Sequence, residues 1–162
     1  MCFSVTVEND IGKLTKRFSA KLDLDAYRVF QELAEMEDKI GQKPLLEKLG
    51  IETGRSRKTP IIKTPSEDGI VYSNYFSNVL VLQKDHRVFE PMRYRVRPYG
   101  SKEEIPSKFN VFNARLDSLT TRETWRGLFG KQHGILPITK FFEWVEQNGR
   151  KKLISFKPKN HD

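Results

Sequence analysis

The sequence holds a single cysteine, Cys2, among 162 residues. One thiol excludes an internal disulfide framework and any multi-cysteine zinc site. Apolar runs long enough to cross a bilayer are missing, so no membrane partner is expected. No basic start followed by an apolar stretch marks a secretory signal. Histidine is scarce too. His86, His133 and His161 have no metal-ligand spacing to one another, so no metal and no cofactor is expected. Walker, dinucleotide and serine-hydrolase motifs are absent. A reducing, cytoplasmic setting is the simple reading.

What is present is charge and aromatic residues. Hydrophobic residues make up 37%, charged residues 31% and aromatics 11%, which is wet but too aromatic for a disordered chain. The length suits a single domain with its own core. The net charge is +8 and is unevenly placed. Residues 1–53 carry 8 Lys/Arg against 10 Asp/Glu; residues 54–162 carry 21 against 11. Such an excess fits a polyanion partner, most simply nucleic acid, or a surface that is merely basic.

Local patterns place the elements. "FSVTV" (Phe3 to Val7) alternates as a strand, so Cys2 sits at a strand start. Asp23 is placed to cap a helix in which Tyr27, Phe30, Leu33 and Ala34 recur at helical spacing. "KPLLEKLG" reads as a short helix ended by Gly50. Residues 54–69 read as a basic loop. "NVLVLQ" and "HRVFEPMRYRVRPYG" read as strands. On the second, Arg93, Arg95 and Arg97 alternate and share one face, beside Tyr94 and Tyr99. Such a row suits a nucleic-acid backbone; the competing reading is a charged edge strand that resists aggregation. "SLTTRETWRGLFG" reads as a short helix, with Thr120 and Glu123 at capping-box spacing. Asn148-Gly149 predicts a two-residue hairpin in which Glu146 faces Lys151 and Glu143 faces Ile154.

Three places carry candidate chemistry. Removal of Met1 leaves Cys2 with an α-amine and a thiol on adjacent carbons, a 1,2-aminothiol that can close a five-membered ring on an aldehyde. Glu143 lies between Phe141 and Val145. A carboxyl group there is poorly hydrated if that face is inside, a setting that suits a general acid near neutral pH. The competing reading is an edge glutamate reaching solvent or pairing with Lys152. In "NARLDS", Asn113 offers a donor and an acceptor, and Arg115 can grip a phosphate with two hydrogen bonds. The competing reading is a turn asparagine followed by a surface arginine.

Taken in order, "MC", "NAR" and "FFEW" resemble the SOS response-associated peptidase (SRAP) family, whose members shield abasic sites in single-stranded DNA. The likeness runs from Cys2 to about Phe156. It implies an α+β fold, a curved, barrel-like antiparallel sheet with flanking helices and a basic channel for DNA. It implies that Cys2 is the crosslinking nucleophile, that Asn113 orients the terminal residue and the sugar, that Arg115 contacts phosphate, and that Glu143 is the catalytic glutamate. The partner implied is single-stranded DNA with abasic sites, and the setting a nucleoid-associated one. Autoproteolytic removal of Met1 and lyase activity are implied as well.

The sequence departs from the family in four places. "MCFS" stands for the usual "MCGR". Lys140 stands where glycine is usual before "FFEW". "RYRVRP" replaces a tryptophan-containing segment. The downstream "H-x-R-x-P" histidine has no counterpart, so the SRAP-like domain, residues 1–162, is expected to be either incomplete at its C-terminus or a short divergent member. Two other functions remain in play: a non-catalytic, basic single-stranded-DNA-binding module, and an N-terminal-nucleophile cysteine amidohydrolase.

Overall fold

A computed structural model of the protein describes residues 2–48, 60–97, 101, 105, 109 and 112–159. The chain divides into two compact units. The first holds residues 1–22, 64–94 and 134–162, and the second residues 23–63 and 95–133. Gly50, the basic stretch 54–59, Tyr99, Met1 and His161 lie outside the described residues.

The first unit is built on two open sheets. β1 (Cys2–Val7) is flanked by β3 (Ile70–Val71) and by β6 (Ile138–Gln147), which pairs in turn with β7 (Arg150–Phe156). All three pairings are antiparallel. The other sheet has the order β2 (Lys21–Leu22), β5 (His86–Arg93) and β4 (Phe76–Gln83), with β2 parallel to β5. The fold is therefore α+β with mainly antiparallel pairing. The expected barrel-like surface is not closed: β7 is an edge strand exposed along its whole length.

Alternation explains the core of the first sheet. Val5, Val7 and Val71 are buried together, with Phe141, Tyr75, Tyr94 and Leu136 against them. Ser4 and Thr6, on the other face, are buried as well. The β6–β7 hairpin turns at Asn148 and Gly149, with φ of 53° and 70°. Two consecutive residues at positive φ make the turn whose twist matches the strands, and Asn-Gly tolerates it best. The register puts Glu146 opposite Lys151 and Glu143 opposite Ile154, as the sequence predicts. Phe141 and Phe156 stack across the same ladder, with ring centroids 4.8 Å apart.

The second sheet is covered by α1 (Ile11–Phe18), an element that the local sequence pattern does not announce. Asp10 caps it by accepting from the Lys13 N–H at 3.1 Å. Leu14 is packed with Leu80 and Phe89, and Ile11, Phe18 and Leu22 surround them.

Entry into β3 depends on Gly69. Its φ is +71°, its N–H donates to the Ser66 carbonyl and its carbonyl accepts from Val7. Asp68 fixes the same turn. Its carboxylate accepts from the Ser66 hydroxyl at 2.7 Å and from the Ile70 N–H at 3.1 Å, and these bonds hold its pKa below the ordinary value. A Cβ at position 69 would lie 2.5 Å from the Val7 carbonyl oxygen. Gly69→Ala therefore combines a left-handed backbone with a backbone clash. The expected loss is about 2–4 kcal/mol, or roughly 5–15 °C in Tm by thermal melting. An unchanged melting curve would remove the turn from the stability of the sheet.

In the second unit, Asp23 caps α2 (Leu24–Ile40) by accepting from the Ala26 N–H at 2.9 Å, as expected. α3 (Gln42–Lys48) buries Leu45 and Leu46. Glu37 is buried near the end of α2, and its two carboxylate oxygens accept from the Ile61 and Ile62 N–H groups at 2.6 and 2.8 Å. A buried carboxylate with backbone donors on both oxygens ties residues 61–62 to the helix. The short helix near residue 120 is α4 (Glu123–Arg126). Its N-cap is Arg122, without a side-chain cap, so the Thr120–Glu123 capping box does not form.

Candidate functional site

Cys2 and Glu143 are cross-strand partners. The antiparallel pairing of β1 with β6 sets the Cα of Cys2 opposite that of Glu143. Directly opposed residues in such a ladder lie about 4.5–5.5 Å apart, Cα to Cα. The two positions are 141 residues apart in sequence, and the strand register brings them together. Glu143 is half-buried, on the core-facing side with Phe141.

A β-bulge makes the match. Ser4 pairs with Phe142 and Cys2 with Glu143, so Phe3 is an extra residue on β1. A second irregularity lies between Thr6 and Val7, where the extra residue, Thr139, is on β6. Bulges bend and twist a strand locally and re-aim the side chains beside them. Phe3 itself stands edge-on to Tyr72 and Trp144, each with ring centroids 5.8 Å away. All three rings are substantially exposed, at 44%, 38% and 48%. Exposed aromatics beside Cys2 were not singled out from the sequence. Only the placement of Phe3 after Cys2, and of Trp144 after Glu143, pointed to them.

Asn113 and Arg115 belong to the second unit. They lie in an extended segment that leads into a 3-10 turn, Leu116–Ser118. Arg115 is held by Asp117, with Nε and Nη2 donating to the two carboxylate oxygens at 3.2 and 2.7 Å. That hydrogen-bonded pair raises the guanidinium pKa and holds the Asp117 carboxyl below its ordinary range. Both side chains are mostly exposed, so the pair contributes little to stability. Asp117 was visible in "NARLDS", yet its claim on Arg115 was missed.

The arginine row is not a strand row. β5 ends at Arg93 because the chain bends at Tyr94, whose N–H donates to Tyr75 across the hairpin and whose carbonyl accepts from Asn74. Arg95 turns to its own unit: its guanidinium donates to the Ile105 carbonyl and lies over the Phe112 ring. Arg97 is exposed. Alternation along a strand therefore does not put Arg93, Arg95 and Arg97 on one face. His133 is a structural group, since its Nε2 accepts from the Gly130 N–H at 2.8 Å. Among the described residues no group of three His, Cys, Asp or Glu is placed to hold a metal ion, and no helix is long and apolar enough to cross a membrane.

No curated protein matches the chain. Among solved structures, the chain is similar to a crystal structure of a Bordetella bronchiseptica protein from a structural genomics consortium. The two are 20% identical, with a TM-score of 0.43. The match covers 57% of this chain and 47% of that one, so less than half of that protein is represented. This likeness is too distant to carry an argument. The family comparison is different in kind. The model described as SOS response associated peptidase (SRAP) matches residues 1–162, the full length of the sequence, and the protein belongs to that family.

Proposed function

We propose that the protein captures abasic sites in single-stranded DNA as a covalent thiazolidine on Cys2. The observation that carries the reading is the register that sets Cys2 opposite Glu143 at the start of β1. Hydrolysis of the Met1–Cys2 bond frees the α-amine, a step in keeping with the peptidase of the family's name. The amine adds to the ring-opened aldehyde of the abasic sugar and gives a carbinolamine. Loss of water leaves an imine. The thiol then adds to the imine carbon, and its proton passes to nitrogen. The net change is protein plus DNA minus one water. Glu143 moves the protons for ring opening and dehydration. Asn113 orients the sugar and Arg115 takes a flanking phosphate. Arg93, Arg95 and Arg97 supply positive charge along the strand's path. Phe3, Tyr72 and Trp144 offer ring surface for unstacked bases.

The first test is a denaturing gel of the protein with a single-stranded oligonucleotide bearing one abasic site, followed by an intact mass. The expected product is heat-stable, lacks Met1 and is one water short of the sum. A protein with a free Cys2 terminus that yields no adduct would end the enzymatic reading and leave a reversible DNA binder. Glutamine hydrolysis by the same sample would point to an amidohydrolase instead.

The Arg115–Asp117 pair makes a further expectation. An arginine engaged by its own neighbour is only partly available to a phosphate. Asp117→Asn is expected to tighten binding of intact single-stranded DNA at low salt and to steepen the salt dependence by roughly one phosphate contact. A salt titration by fluorescence anisotropy reads both. Identical slopes for the two proteins would show that Arg115 does not touch the strand.

A further inference from the structure

A cavity of about 740 Å³ lies in the first unit, between α1 and the start of β6. Its apolar wall is Leu14, Phe18, Pro137 and Ile138, and its charged rim holds Lys13, Lys16 and Arg17 with one carboxylate, Glu8. It is not the reactive end of the sheet. Ile138 pairs with Val7, whereas Glu143 pairs with Cys2. Five residues of strand separate the two places, about 16 Å at roughly 3.3 Å per residue.

The two cations Lys16 and Arg17 have little left to do at the helix end. Basic residues in the last turn of a helix usually serve its free carbonyls. Here three of those four carbonyls already have partners: Phe18 accepts from Arg87, Lys16 from the Ser19 N–H and Thr15 from the Ala20 N–H. The other lysine at the rim, Lys13, faces Glu8 at 3.7 Å and Asp10 at 4.0 Å. Among the described residues, no carboxylate lies within ion-pair distance of Lys16 or Arg17. A largely apolar cavity of ligand size, with two cations at its rim that no described carboxylate neutralises, is complementary to an organic anion with an apolar face.

We propose that this cavity is a nucleotide subsite, with the phosphate on Lys16 and Arg17 and the base against Phe18, Leu14 and Ile138. The nucleotide is either free or one residue of a DNA strand; the recognition chemistry is the same. The inference stands on the cavity and does not require crosslinking at Cys2.

The test is calorimetry on the full chain with deoxyadenosine monophosphate, deoxyadenosine and inorganic phosphate. The monophosphate is expected to bind about tenfold or more tightly than either fragment, because each fragment meets only half of the site. The double substitution Lys16→Ala with Arg17→Ala, at two exposed helix positions, is expected to weaken the monophosphate by about tenfold or more. Lys43→Ala, an exposed cation on α3, leaves it unchanged. Competition with an intact oligothymidylate identifies the source. Displacement of the monophosphate assigns the cavity to a DNA strand, and simultaneous binding assigns it to a free nucleotide. Either result upholds the subsite. It is overturned if the monophosphate gives no binding at low millimolar concentration. It is equally overturned if phosphate alone binds as well, or if the double variant binds as tightly as the parent.

Discussion

Cys2→Ala is expected to abolish the heat-stable adduct with abasic single-stranded DNA. The alanine variant keeps the α-amine if Met1 is removed, so the imine still forms. It has no thiol to close the ring, so the imine stays open to hydrolysis or to β-elimination with strand cleavage. Three readouts separate these fates. The heat-stable band disappears from a denaturing gel, borohydride treatment recovers a reduced adduct, and reversible binding to intact strands is unchanged. A heat-stable adduct from the alanine variant would place the nucleophile elsewhere, on a lysine for instance, and would sink the thiazolidine.

Glu143→Gln is expected to slow crosslinking by about 10²–10⁴-fold, the usual contribution of a positioned general acid or base. Glutamine keeps the size and the strand position of the side chain, so the β1–β6 register and reversible DNA binding are expected to hold. Single-turnover kinetics at saturating protein isolate the chemical step, and an anisotropy titration checks binding. A crosslinking rate within a few-fold of the parent would remove Glu143 from the chemistry and leave it as a half-buried strand residue. An equal loss in binding and rate would instead mark a fault in folding or in docking of the strand.

The parts of this fold that sequence reveals are those set by local rules. Asp23 announces α2 because a carboxylate oxygen within reach of Ala26 satisfies an orphan N–H at the helix start. Asn148-Gly149 announces the β6–β7 hairpin because two positive φ angles are needed there. The register of that hairpin then comes from the turn, and with it the pairing of Glu143 with Ile154. α1 was hidden because its apolar residues, Ile11, Leu14 and Phe18, are sparse among Gly12, Thr15 and three cations. Its stability comes from packing on Leu80 and Phe89, which no local window contains. The end of β5 was hidden for a related reason. "RYRVR" alternates as a strand does, but the backbone bonds of Tyr94 and the contacts of Arg95 with Ile105 and Phe112 are decided by distant residues.

The candidate site shows the same division. Residue types hinted at each piece separately, and only the likeness to a family gathered them. The apposition of Cys2 and Glu143 is a non-local strand pairing, and no periodicity in either segment encodes it. The Asp117 clamp on Arg115 was within reach, since the two residues are separated by one position and carry opposite charge.

The bulge at Phe3 has a consequence for how this site can change over generations. Beyond Ser4 and Phe142 a regular ladder would bring residue 3, not residue 2, opposite Glu143. The chain is thus one residue longer than the ladder requires, and Phe3 is the surplus. Its loss would join Cys2 directly to Ser4 and keep position 2 opposite Glu143 in a regular ladder. The opposite irregularity at Thr139 restores the register at the far end of the pair, so the two ends of the ladder are insulated from each other. By register alone, then, a change or loss at position 3 leaves position 2 with its partner, at the expense of the ring contacts of Phe3 with Tyr72 and Trp144. Selection can remodel the ring surface beside Cys2 without changing its place opposite Glu143.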